Sequence, residues 1–153
     1  MERRRPVTRI DFHSNAPNKP GYACRLAREA YAAGSRLVIF SADNAVLTSL
    51  DQLLWTFSAL DFLPHCRAGD SLAAETPIIL ASSASGLPHH QLLISLDEVQ
   101  PDFFSRFDRL IEIVGTDEED IAAGRRRWKF YKDRGYPLTH HDARQSEPSG
   151  ARP

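Results

Sequence analysis

Apolar and polar positions along this chain fall into short blocks that switch between two periods. Arg9–Ser14 (RIDFHS) alternates and predicts a first strand. Residues 20–33 recur at helical spacing, with Leu26, Ala30 and Ala33 on one face and Gly34 as the stop. Residues 36–41 (RLVIFS) are almost wholly apolar, as a strand covered on both faces is. Asp43 or Asn44 can cap a helix running to about Phe57, with Val46, Leu50, Leu53 and Leu54 turned inward. A linker is expected over 58–75. Further strands are expected at 76–81 (TPIILA), 91–96 (QLLISL) and 109–114 (RLIEIV), with a polar turn region at 82–90 and a short helix at 101–107. Thr116 and Glu119 have the spacing of a capping box that opens a last helix. Strand and helix alternate, so the pattern predicts an α/β three-layer sandwich on a mostly parallel five-stranded sheet, Rossmann-like in outline.

Composition narrows the class. The chain has 153 residues, 42% of them hydrophobic, which suits one domain with a real core. That domain is expected over 1–142, with 143–153 (ARQSEPSGARP) as a tail carrying no core-forming residues. There is no apolar run of about 18 residues, so no membrane span is expected. Basic residues open the chain without an apolar stretch behind them, so no secretory leader is expected either. Cys24 and Cys66 are far apart and give no zinc spacing, which suits a reducing cytoplasm and no bound metal.

A parallel sheet invites a search for a phosphate loop after its first strand. That loop reads HSNAPNKPGYA, with one glycine and two prolines, and neither GxGxxG nor GxxxxGK[ST] occurs in the chain. Proline removes the backbone donors a pyrophosphate needs, so no nucleotide cofactor is expected. His65-Cys66-Arg67-Ala68-Gly69 resembles the start of the loop of cysteine phosphatases, but Leu72 stands where their arginine would grip the phosphate oxygens. A phosphate-handling enzyme using Cys66 remains the rival from another class. His89-His90 and His140-His141 are adjacent pairs that cannot face one way on a regular element, and they read as exposed loop histidines. Asp11, Asp43 and Asp97 sit near strand ends without an identifiable catalytic partner.

The densest signal is Gly124–Tyr136, with six basic residues and four aromatics in a chain of net charge −1. At about 100° per residue, Arg125, Trp128, Lys129 and Lys132 share a stripe with Ile121 beside them. Ala123 and Phe130 fall opposite, with Tyr131 and the stem of Arg127 between. Burying the charged stripe would strip its cations of water, so Trp128 is expected to lie exposed among them. Such a face suits an acidic ligand with an aromatic anchor, or a single strand of nucleic acid stacked on Trp128. The competing explanation is a solvated face, since acids at 117–120 followed by bases also suit the helix dipole. A second aromatic group, Trp55, Phe57, Phe62 and Pro64, reads either as core or as an apolar surface for another subunit.

The ordered set FH, RLVIF, LW-x-F-x4-FLPH, ISL and R-x-x-W-K-x-Y-K-x-x-G-Y resembles the chi subunit of the bacterial DNA polymerase III clamp-loader complex, over about 9–141. The resemblance implies a non-enzymatic α/β adaptor without a phosphate loop, bridging two partners. One is the psi subunit of the clamp loader. The other is the acidic C-terminal tail of single-stranded DNA-binding protein, which ends in a Pro-Phe carboxylate; DNA is reached only through the partners. The tail-binding positions of the family fall on Ile121, Arg125, Trp128 and Lys129, with Lys132 adding to their field. Ile121 departs from the pattern, because a basic residue can stand there. The psi contact falls on Trp55, Phe57, Phe62, Pro64 and His65.

Overall fold

The computed structural model describes residues 7–56 and 62–144. Its elements run β1 (Arg9–Ser14), α1 (Lys19–Ala32), β2 (Leu37–Phe40), α2 (Asn44–Thr56), β3 (His65–Arg67), β4 (Ile78–Ala81), β5 (Leu92–Ser95), β6 (Arg109–Ile113), α3 (Glu118–Asp133) and β7 (Leu138–Asp142). Single 3-10 turns occupy Ala73–Glu75 and Phe104–Arg106. The strands form one sheet in the order β3-β4-β2-β5-β6-β1-β7, and every pairing is parallel.

The sheet therefore has seven strands, where the sequence pattern predicts five. The two extra strands are its edges. β3 has three residues (HCR) inside the expected linker, too short to show a period. β7 reads LTHHD and is half-buried or exposed throughout, because an edge strand has only one neighbour to pack on. His140 and His141 accordingly lie in a strand and not in a loop. The expected short helix at 101–107 is only a 3-10 turn, and the last helix is capped by Asp117 rather than by a Thr116 capping box. The Asp117 carboxylate accepts from the Asp120 N–H at 2.8 Å.

Alternation along each strand divides the core into two layers. Leu37, Ile39, Ile78, Leu80 and Ile94 pack under α1 and α2 with Leu47, Leu50 and Leu54. Ile10, Phe12, Val38, Ile79 and Leu93 face the other way, against Tyr131 of α3 and the Phe103, Phe104 and Phe107 group. Ala143 is also buried, and its N–H donates to the Ser14 carbonyl at 2.8 Å.

Two glycines set the position of α3. Gly124 packs so close to β6 that a Cβ there would lie 2.8 Å from a Val114 methyl. Gly135 follows the helix with φ +82, a left-handed conformation that glycine adopts without strain. The Tyr136 N–H then donates back to the Tyr131 carbonyl at 3.2 Å, and the chain reverses into β7 beside β1.

Candidate functional site

A cavity of about 350 Å³ opens at the C-terminal ends of β1 and β6, between the sheet and α3. In an open parallel sheet this is the end where ligands bind. Its apolar walls are Phe12, Val114, Ile121 and Trp128. Its polar lining comes from Ser14, Asn15, Arg125 and His140. The floor is accessible because Gly115 and Gly124 place no side chain in it.

The walls are fixed from below. Trp128 stands edge-on to Phe12, with ring centroids 5.2 Å apart at 71°. The indole is half-buried, so it is less exposed than the stripe predicts, yet its free part lines the cavity. The start of α3 is tied down by Asp120, which accepts from the Gly115 N–H at 2.5 Å and pairs with Lys19 at 3.1 Å. Asn15, the residue that turns the chain out of β1, has φ +62. Its side chain hydrogen-bonds Asp142, whose carboxyl the Arg144 guanidinium holds well below the usual range.

Arg127 departs most from expectation. Its whole side chain is sealed in the sheet-facing side of α3, with Glu112 and Tyr131. Tyr131 donates to Glu112 Oε2 at 2.5 Å, and burial beside that carboxylate pushes the Tyr131 hydroxyl far up. Arg125, Lys129 and Lys132 are exposed as the stripe predicts, and so are Arg126 and Arg134. Lys129 pairs with Asp133 one turn on, at 3.0 Å, so it is not uncompensated. Neither Lys129 nor Lys132 lines the cavity; Ile121, Arg125 and Trp128 do.

The second aromatic group gathers at the opposite end of the sheet. Trp55, at the end of α2, is 58% exposed and Phe62 is 65% exposed, with ring centroids 5.8 Å apart. The His65 ring lies 4.8 Å from Trp55 and is itself covered. His65 Nδ1 donates to the Leu63 carbonyl at 2.6 Å, while Nε2 sits 3.1 Å from Asp51 Oδ1 without hydrogen-bond geometry. Pro64 is half-buried, and Phe57 lies outside the described residues.

The catalytic alternatives lose their geometry. Cys66 lies in the extended strand β3, paired in register with Ile79, and not in a loop curled around a phosphate. Asp43 accepts from the Ala45 N–H at 2.9 Å as a helix cap. Asp97 accepts from Ser41 and from the Ala42 N–H, each at 3.0 Å, and joins the ends of β2 and β5. Asp11 lies mid-strand, held by Arg109 at 2.7 Å and by the Thr139 hydroxyl. Among the described residues no group of His, Cys, Asp or Glu is arranged to hold a metal ion. No described helix is long and apolar enough to cross a membrane.

Of the side chains that line the cavity beside its two glycines, sequence pattern finds three and misses Phe12, Ser14, Asn15, Val114 and His140. The first four lie at the ends of β1 and β6 and could be reached by the rule for parallel sheets. His140 could not, since nothing in LTHHD announces a strand.

The fold resembles the C-terminal domain of S. cerevisiae Dbp5, solved bound to Gle1 and IP6, with a TM-score of 0.61 over 90% of each chain. At 10% identity that likeness concerns the fold alone. The family described as DNA polymerase III chi subunit, HolC, matches residues 7–139. The DNA polymerase III subunit chi of Pseudomonas aeruginosa is 34% identical over 139 residues, covering 88% of this chain and 96% of that one. Those of Haemophilus influenzae and Escherichia coli are 29% and 28% identical, covering 76% and 75% of this chain and 82% and 79% of theirs. This chain thus belongs to the DNA polymerase III chi-subunit family, as an accessory, non-catalytic subunit of the polymerase complex in DNA replication.

Proposed function

We propose that the chain is a cytoplasmic adaptor that ties the clamp loader, through a psi-type subunit, to the acidic C-terminal tail of single-stranded DNA-binding protein. DNA is then reached through these partners and not directly. The observation that carries this reading is the cavity's composition: apolar walls from Phe12, Ile121 and Trp128 beside the guanidinium of Arg125. A chain ending in a phenyl ring and a carboxylate needs that pair of surfaces. The ring would enter against Trp128 and Ile121. The carboxylate would take the fork of Arg125. Lys129 and Lys132, outside the cavity on the exposed side of α3, would attract the acidic residues upstream and speed encounter. Attraction between exposed charges weakens with salt, so affinity falls as ionic strength rises. Many tails on one coated strand would add avidity to a modest single affinity.

The psi-type contact is assigned to Trp55, Phe62, Pro64 and His65, with Phe57. Two large rings more than half exposed and in contact with each other support it, because interface cores favour such aromatics.

Calorimetry with an acidic peptide ending in Pro-Phe tests the first surface. Arg125→Ala is expected to weaken binding by roughly 1.5–3 kcal/mol, the value of a hydrogen bond to a charged group. Unchanged affinity would remove the tail assignment. Capture of the purified psi subunit tests the second: Trp55→Ala should abolish it while leaving peptide affinity intact. Loss of both, or of neither, would refute the two-surface arrangement.

A further inference from the structure

We propose that His140 is a second carboxylate anchor of this cavity, supplying from β7 the cation that Ile121 does not provide, and that tail capture therefore tightens as pH falls. The inference rests on the tail reading above and adds a residue and a regulation to it.

The placement comes from register. His140 pairs with Phe12 across β1 and β7, so its ring stands on the face turned to α3, beside the cavity wall. Ser14 Oγ lies 2.6 Å from His140 Nε2 and fixes the ring. Nδ1 takes no hydrogen bond among the described residues. A serine hydroxyl can accept as well as donate, so Ser14 accommodates both charge states. In the charged ring Nε2–H donates to Ser14, and Nδ1–H remains for a ligand.

The electrostatics point to an anion. No carboxylate lines the cavity, which holds one arginine and one histidine. The acids on the neighbouring elements are either engaged elsewhere or stay outside the cavity. On β1, Asp11 faces the other side of the sheet and is held by Arg109. On β7, Asp142 pairs with Arg144, and His141 stacks on His13 across the sheet from the cavity. Asp117 caps α3; within the helix Asp120 pairs with Lys19 and Asp133 with Lys129, while Glu118 and Glu119 are exposed and do not line the cavity; on β6, Glu112 is held by Arg127. A ligand carboxylate would be the counter-charge that Arg125 and His140 share. Histidine is the side chain that gains charge between pH 8 and 5, whereas peptide carboxylates stay ionised down to about pH 4. An imidazole anchor facing such a tail is therefore expected to hold it more tightly at the acid end of that window.

The test measures binding of an acidic Pro-Phe-ended peptide to the full-length protein at pH 8 and pH 6, at one ionic strength. Wild type should bind roughly two- to fivefold more tightly at pH 6, the value of one partly exposed ion pair. His140→Gln keeps a polar side chain that cannot charge, and its affinity should be the same at both pH values. His140→Ala should be weaker than wild type at pH 6, with an unchanged melting temperature because the residue is exposed. A pH response that survives His140→Gln, while Arg125→Ala still weakens binding, overturns the His140 assignment alone. No binding by wild type, or no effect of Arg125→Ala, overturns the tail reading and this inference with it.

Discussion

Arg127 Nε donates to Glu112 Oε1 at 2.9 Å, with both side chains almost wholly removed from solvent. A second bond runs from Arg127 Nη1 to the Glu98 carbonyl at 2.8 Å, so one guanidinium joins α3, β6 and the loop after β5. Buried pairs of this kind add little net stability compared with apolar packing, but losing one partner strands the other. Arg127→Ala is therefore expected to cost about 3–5 kcal/mol in urea unfolding. Glu112→Gln combined with Arg127→Met, which removes both charges, should recover most of that loss. A double variant no more stable than the single one would show that packing, not the stranded charge, sets the cost.

Gly124→Ala sets two effects against each other. Removing a glycine from a helix interior favours folding by up to ~1 kcal/mol. The new methyl would meet Val114 methyls at 2.8 and 3.1 Å, and overpacking of that kind costs about 1–3 kcal/mol. The net expectation is a loss of roughly 1 kcal/mol, read from thermal or urea unfolding. Adding Val114→Ala should relieve the contact, so the double variant should fall short of the sum of the two single losses.

His13 carries a pH dependence of stability. Burial, aided by His141 beside it, lowers its ring from the ordinary value of 6.5 to about 4. Its Nδ1 hydrogen-bonds the Tyr22 hydroxyl and its Nε2 is buried without a partner. The folded state thus holds the neutral ring, and the unfolded state takes up a proton first. The contribution is fully present above pH 6.5 and is lost as pH falls from 6.5 through about 4. The full effect is about 3 kcal/mol. Unfolding free energies from pH 8 to pH 4 should show this decline in wild type, and His13→Phe should flatten it. An equal slope in both would assign the decline to other groups.

Much of the fold was legible because central strands of a parallel sheet are nearly all apolar. LVIF, IILA and LLIS identify themselves by composition, and α2 by its leucine spacing. The edges were not legible, since a strand with one neighbour has no need of that composition, as HCR and LTHHD show. The basic helix was placed correctly and Arg125 and Trp128 share the cavity, yet the burial of Arg127 was invisible. Its partner Glu112 lies in RLIEI, where a lone acid in an apolar run gives no hint of the residue it will meet. His140 was misjudged for a related reason: pairing with Phe12, and not its own neighbours, decides which way it points.

The strand order also fixes a length. Trp55 and Phe62 flank β3, while the cavity opens at β1, five strand intervals across the sheet. At ~4.8 Å per interval the separation is roughly 24 Å. A β layer of that width acts as a strut that holds the two surfaces apart. Occupancy at one end need then have no influence on the other.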